Sequence, residues 1–237
     1  MSILGGGGDY YESVAYDARD SNSPHFYLTT DSYDGQLIQF SPDEKFVSNA
    51  VQTGSYWPIL SYPGSKKYLV LDPEHGTFIW SSSLSRGQIS ASEHFPNSEG
   101  IDVRDGLLFF TSKRKKRLYI LDLDGGTYIE SSTESGAFNN QPDQIARVIG
   151  AGNDSILYFC EDGGADCGVH GRSSDGKYFT ILEGLEYATE TTGLAFSPDN
   201  MRMYVSFQSN PGHIFEIRRE DGLPFDGATL DIKYHEN

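Results

Sequence analysis

Carboxylates recur along this 237-residue chain at a spacing of about forty-four residues, each time at the head of a strand-like segment. Glu12 opens Glu-Ser-Val-Ala-Tyr-Asp, Glu99 opens Glu-Gly-Ile-Asp-Val, Asp143 opens Asp-Gln-Ile-Ala-Arg-Val, and Glu190 opens Glu-Thr-Thr-Gly-Leu-Ala-Phe. Between Glu12 and Glu99 the place is filled by Tyr56-Trp57-Pro58-Ile59-Leu60. Carboxylates brought together cannot all stay ionised, because like charges in close contact raise one another's pKa. A hard cation resolves the conflict, and an oxygen-only donor set suits calcium. The plain alternative is that each carboxylate caps a strand edge by accepting backbone N–H groups.

The segments behind these carboxylates repeat as units. A period of about forty to fifty strand-rich residues is the size of one β-propeller blade. The units begin near 12, 56, 99, 143 and 190. In the first, strands are expected over 13–16, 25–30 and 36–40, with 46–52 as an outer strand. The second offers 59–62, 68–71 and 77–81. The third is the clearest, with 100–103, the Asp105-Gly106 turn, 107–111, 118–121, the Asp124-Gly125-Gly126 turn and 127–130. The fourth runs 145–148, 156–160, a glycine-rich excursion and 178–182; the fifth runs 194–197, 203–207 and 213–218. No stretch has the apolar periodicity of a long amphipathic helix.

The expected fold is therefore all-β, a single propeller domain over residues 1–237 with about five recognisable blades. It is either five-bladed or an incomplete six-bladed ring, and the tail 228–234 is able to build a further blade. In a propeller the first strand of each blade lines the central channel. Glu12, Glu99, Asp143 and Glu190 would then meet near one mouth. The loops after the second strands would face it too, carrying Asp31, Asp72, Glu161-Asp162 and Gln208. Glu161 opens the irregular segment Gly163-Gly164-Ala165-Asp166, where glycines allow close backbone approach to a ligand. It is either a ligand or part of an acidic turn. Asp122-Leu123-Asp124-Gly125 lacks the later ligands of a calcium loop and reads as a turn.

The net charge of −16 repels phosphate backbones, which argues against nucleic acid as a general partner. Fifteen Tyr, 14 Phe and 26 Gly suit short strands joined by tight turns. No apolar run is long enough to span a bilayer. The run Lys113-Arg114-Lys115-Lys116-Arg117 is either a solvated hairpin tip or an attractor for a phosphate-bearing substrate. Cys160 and Cys167 are either a local disulfide or two thiols, and their spacing fits no zinc pattern. His170 and His213 are either near the channel mouth or exposed turn residues. Asn153-Asp154-Ser155 matches a glycosylation acceptor, and no secretion signal, nucleophile elbow, phosphate loop or dinucleotide fingerprint is present. Compartment and oligomeric state are not readable.

An ordered set of segments resembles the PhoX-type alkaline phosphatases. Residues 11–17 with 26–31, 98–103, 141–145 with 158–163, and 190–199 with 205–208 are similar to successive units of that family. The resemblance implies a six-bladed propeller that hydrolyses phosphate monoesters at a calcium and iron cluster, in a secreted or periplasmic protein. It implies Glu12 and Glu99 as ligands at the iron–calcium core, with Asp143, Glu161 and Glu190 as candidates for calcium. The family also draws an Asp and a Cys from a segment ahead of the Glu12 unit. Eleven residues precede Glu12 and none is Cys, so that segment is expected to be lacking. Two other readings stand beside this one: a calcium-stabilised, non-catalytic binding platform, and a calcium-dependent lactonase-like hydrolase.

Overall fold

The computed structural model describes residues 10–17, 19–56, 59, 61, 63–148, 156–185, 189–226 and 230–236. The chain divides into two compact units, Met1–Ser131 and Ser132–Asn237. Both are built almost wholly from antiparallel strands. Among the described residues no helix is long and apolar enough to cross a membrane.

The first unit holds a nine-stranded sheet. Its strands are β1 (Tyr11–Asp17), β2 (His25–Thr30), β3 (Ile38–Pro42), β4 (Gly64–Asp72), β5 (Thr77–Ser81), β6 (Ser98–Arg104), β7 (Leu107–Ser112), β8 (Arg117–Asp122) and β9 (Thr127–Ser132). Their order in the sheet is β1-β2-β3-β4-β5-β9-β8-β7-β6. The sheet curls until β6 packs beside β1 and β2, giving a nearly closed, barrel-like wall. Side-chain bonds tie that seam. The Thr30 N–H donates to Ser98 Oγ at 3.2 Å, and Thr29 Oγ1 donates to the Glu99 carbonyl.

Local chemistry explains most of these elements. Asp105 and Gly106 sit at φ 50° and 84°, the paired positive values of a type I′ turn, so β6 and β7 reverse in two residues. Asp122 Oδ1 accepts from the Gly125 N–H at 2.8 Å and the Asp124 N–H at 3.0 Å, which closes the next turn. Alternation along the strands sends Tyr27, Leu69, Leu108, Phe110, Tyr119 and Leu121 into one core.

The end of the first repeat and the start of the second depart from expectation. Residues 46–52 form no outer strand; they lie in helix α1 (Glu44–Thr53). Asp43 caps its start and Gly54, at φ 69°, ends it by donating to the Ala50 carbonyl. A second helix, α2 (Leu84–His94), buries Gly87, Ser90 and Ala91 against β4. That face is made of small residues, so it carries no large apolar periodicity. A Cβ on Gly87 would stand 2.5 Å from Tyr68 Cβ, which shows how closely helix and strand approach. The strand expected over 59–62 is replaced by helical residues at Ile59 and Ser61, its other positions lying outside the described residues.

In the second unit, β10 (Gln141–Arg147), β11 (Leu157–Asp162), β12 (Val169–Arg172) and β13 (Tyr178–Leu182) form one sheet. A three-stranded sheet follows, β14 (Thr191–Phe196), β15 (Met203–Phe207) and β16 (His213–Ile217). Tyr158, Cys160, Val169, Phe179, Met203 and Val205 are central to its core. Strand β12 falls inside the expected glycine-rich excursion. The described part of the tail, 230–236, is not a strand; Leu230 and Ile232 pack on this core instead. The Asn153-Asp154-Ser155 triplet lies outside the described residues.

Candidate functional site

Four strand pairs carry the same defect. In β1–β2 the register shifts between Tyr11 and Val14, in β6–β7 between Ser98 and Ile101, in β10–β11 between Pro142 and Ile145, and in β14–β15 between Thr192 and Ala195. Each shift is a β-bulge, in which two residues oppose one and the strand turns a side chain off its normal direction. The first residues of the bulges are Glu12, Glu99, Asp143 and Gly193. Three of the four expected carboxylates therefore occupy one equivalent backbone position. Glu190 does not; it stands three residues ahead of its bulge, where Gly193 at φ 60° takes the carboxylate's place. Tyr56, the gap in the series, is exposed coil.

Within the first unit, Glu12 and Glu99 each offer a carboxylate oxygen within 4.8 Å of the other. Glu12 is exposed and Glu99 is 1 % exposed. Lys113, first of the basic run, enters this group. Its Nζ lies 2.8 Å from Glu99 Oε1 and 3.8 Å from Asp31 Oδ2. Asn97 Nδ2 donates to Asp31 Oδ1 at 2.7 Å, while the Lys113 N–H donates to the Asn97 carbonyl. The basic run is thus a hairpin tip with one residue turned inward. Asp72 takes no part here, since it bonds His75 on an exposed turn. The donor set is hard oxygen, which fits a calcium-sized cation in type. The same group already contains one positive charge.

The second unit treats its acids differently. Asp143 is buried beside Cys160, the residue opposite its bulge. Burial, and after it the charge of Asp143, pushes the Cys160 thiol well above its ordinary pKa. Cys160 is therefore held as a neutral thiol in the core. Burial likewise pushes the Cys167 thiol up to about 11, and neither cysteine is in a disulfide.

Glu161 is wholly buried and fully occupied. Its Oε1 accepts from the Asn139 and Asn140 N–H groups at 3.0 and 2.8 Å. Its Oε2 accepts from the Gly168 N–H and from His170 Nε2, both at 3.0 Å. Burial alone would raise its pKa, but the His170 ring and these N–H bonds outweigh that and hold it below the usual Glu value. The geometry gives Glu161 the role of an anchor for the glycine-rich segment. His170 is its buried partner rather than an exposed turn residue, whereas His213 is exposed and bonds Ser209. With its amide oriented to meet acceptors, Gln208 donates to both Glu190 oxygens at 2.9 and 3.2 Å.

The fold has a counterpart among solved structures. The chain resembles PhoX. Against PhoX from Pseudomonas fluorescens in complex with vanadate, a transition state analogue, the TM-score is 0.62 over 91 % of this chain, with 14 % sequence identity. The match covers 54 % of that chain, so this protein spans about half the length of its neighbour. A likeness at that identity establishes the fold, and the fold is a β-propeller. A luciferin-regenerating enzyme matches over 89 % of this chain and 78 % of its own, at 10 % identity and a TM-score of 0.44, too low to carry an argument. No protein-family model and no curated protein matches the sequence.

Sequence reasoning found the carboxylates but missed what meets them. Nothing local announces that Lys113 turns toward Glu99, or that His170 reaches Glu161 across β11 and β12.

Proposed function

We propose that the chain is a metal-dependent, phosphoesterase-like propeller acting on small phosphate monoesters. Its ligands in this reading are Glu12 and Glu99 of the first unit, with Asp143 and Glu190 as those of the second, and calcium is the cation. Iron enters only through the resemblance. Glu161 lies outside the set, because four N–H donors already fill its oxygens. The observation that carries the proposal is the carboxylate at the head of three equivalent bulges. Bulges re-aim side chains and gather beside active sites. The vanadate held by the PhoX neighbour, a transition state analogue, supports phosphoryl transfer as the chemistry.

A bound dication would supply Lewis-acid neutralisation of phosphoryl oxygens. The chain's own contribution is orientation. The Thr30–Ser98 and Thr29–Glu99 bonds hold the β1–β2 pair against β6, fixing the spacing of Glu12 and Glu99. Metal analysis of the purified chain, paired with a phosphomonoester assay, tests the proposal. Calcium should co-purify, and Glu12→Gln with Glu99→Gln should remove both metal and turnover, the latter by about 10²-fold or more. Absence of bound metal, with full folding of both variants, would sink it.

One observation favours a second reading, the calcium-stabilised but non-catalytic platform. Lys113 already neutralises the buried Glu99, as a tethered cation would. Under that reading calcium raises stability and no phosphate ester is turned over.

A further inference from the structure

Away from these carboxylates, the second unit contains a continuous hydrogen-bonded chain of side chains that runs past a cleft. It starts at the buried Glu161. His170 Nε2 lies 3.0 Å from Glu161 Oε2, and His170 Nδ1 lies 3.1 Å from Thr180 Oγ1. Thr180 Oγ1 is 2.9 Å from His235 Nε2, and His235 Nδ1 is 3.2 Å from Ser135 Oγ. Five side chains from five segments of the sequence are thereby joined in series.

With both imidazole rings neutral, the direction of every bond follows from the first. A carboxylate that already accepts three backbone N–H groups can only accept from His170, so His170 carries its proton on Nε2. Its Nδ1 is then an acceptor and must receive the Thr180 hydroxyl proton. Thr180 Oγ1 accepts in turn from His235 Nε2–H. His235 Nδ1 is left as an acceptor, facing the Ser135 hydroxyl. This is the arrangement of an activated nucleophile: hydroxyl, imidazole base, and a third group that fixes the base's tautomer and ends on a buried carboxylate.

The supports of the chain are specific. Phe138 stacks on the His170 ring, centroids 4.4 Å apart and planes 10° from parallel. The His235 N–H donates to the Tyr178 carbonyl at 2.9 Å, which pins the backbone beside the ring. Ser135 and Phe138 exchange backbone bonds around a tight turn in which Gly136 sits at φ 55°. A Cβ on Gly136 would stand 2.7 Å from His235 Cγ, so only glycine lets the ring lie against this turn. Thr180, His235 and Gly136 line a cleft of about 540 Å³ together with Lys233, Glu183 and Tyr234.

We propose that Ser135 and His235 form a second, metal-independent nucleophilic site that takes small acyl esters from this cleft, whose wall carries His235 and Gly136, the neighbour of the half-buried Ser135. Ser135 Oγ adds to the ester carbonyl carbon while its proton passes to His235 Nδ1. The carbon–oxygen bond to the leaving alcohol then breaks, and that alcohol leaves with the proton from His235. Water repeats the two steps on the acyl-serine, releasing the acid and restoring both side chains. Lys233 on the cleft wall offers positive charge to the oxyanion formed in between. Thr180, His170 and Glu161 act as positioning residues.

The test uses the full chain in excess EDTA, which separates it from the phosphoesterase reading: loss of metal silences that activity and leaves this one. A fluorophosphonate probe should label Ser135, located by peptide mass spectrometry, and p-nitrophenyl acetate should give an acyl burst. His235→Gln should slow labelling by about 10²-fold. Thr180→Val should slow it as well, with Thr180→Ser restoring it. An unlabelled Ser135 in folded protein overturns the proposal, and so does labelling that His235→Gln leaves unchanged, which would mark a merely accessible hydroxyl. Should His235→Gln fail to fold, nitrogen-detected NMR of the wild-type imidazoles decides. His235 must carry its proton on Nε2, and the opposite tautomer refutes the relay.

Discussion

Two buried glutamates, one in each unit, show two ways to keep a negative charge inside a propeller blade. In the first unit Glu99 heads a bulge and meets the Lys113 ammonium at 2.8 Å. In the second unit Glu161 lies on the strand opposite a bulge, paired with Pro142, and meets four N–H donors, three of them backbone. The positions that match Glu161 by register in the first unit are Thr30 and Ser112, both neutral. A backbone cage is rigid and cannot be exchanged for a cation without unfolding its loop. A lysine is a flexible point charge that an incoming dication can replace. The difference teaches which carboxylates are available for metal chemistry: those answered by side-chain charge, not those answered by the backbone.

The largest test of this contrast is Glu161→Ala. Removing the acceptor strands His170 and three buried N–H groups, so the second unit should lose about 3–5 kcal/mol, read by chemical denaturation. If the loss is below about 1 kcal/mol, the cage is not what holds the segment. Its pH signature has a definite sign. The folded pKa of Glu161 is depressed, so its stabilisation is complete above the ordinary value of 4.5 and disappears as pH falls through the lower folded value. The stability gap between wild type and Glu161→Gln should therefore be flat at neutral pH and close in acid. A gap that widens in acid would contradict the assignment.

Next in size is Lys113→Met. It leaves the Glu99 charge buried without its cation and should cost about 2 kcal/mol. Millimolar calcium should then raise the melting temperature of Lys113→Met more than that of wild type, since the competing charge has gone. Equal shifts would show that Lys113 and the cation do not share the site. Gly136→Ala should cost about 1–3 kcal/mol, from the positive φ and the displaced His235 ring together. The smallest effect is expected at Asp124, whose pair with Arg19 is exposed. Asp124→Ala should change stability by about 0–1 kcal/mol, and less at high salt.

Much of the strand layout was legible beforehand. The third repeat is the best case, because Asp105-Gly106 and Gly125-Gly126 are local turn signals flanked by alternating apolar residues. The end of the first repeat and the start of the second are the worst. Asp43 and Gly54 are helix-capping residues in plain view, yet the Phe46-Val47 pair reads equally well as strand. Helix α2 was hidden for a different reason: its buried Gly87, Ser90 and Ala91 are selected for close approach, not hydrophobicity. At the candidate site, Glu12, Glu99 and Asp143 were legible as residue types at a period. Glu190 was misaligned because a period of about forty-four tolerates a slip of three residues, whereas a bulge does not.

The sequence by itself determined the strand repeats, most turns and the acid that heads three bulges, because these depend on backbone preferences and alternation over a few neighbouring residues. Only the tertiary structure decided what each acid faces. Glu99 and Lys113, Glu161 and His170, and Ser135 and His235 come together through bulges, turn geometry and the path of the tail. Those encounters are set by packing between distant segments, and no local pattern encodes the partner.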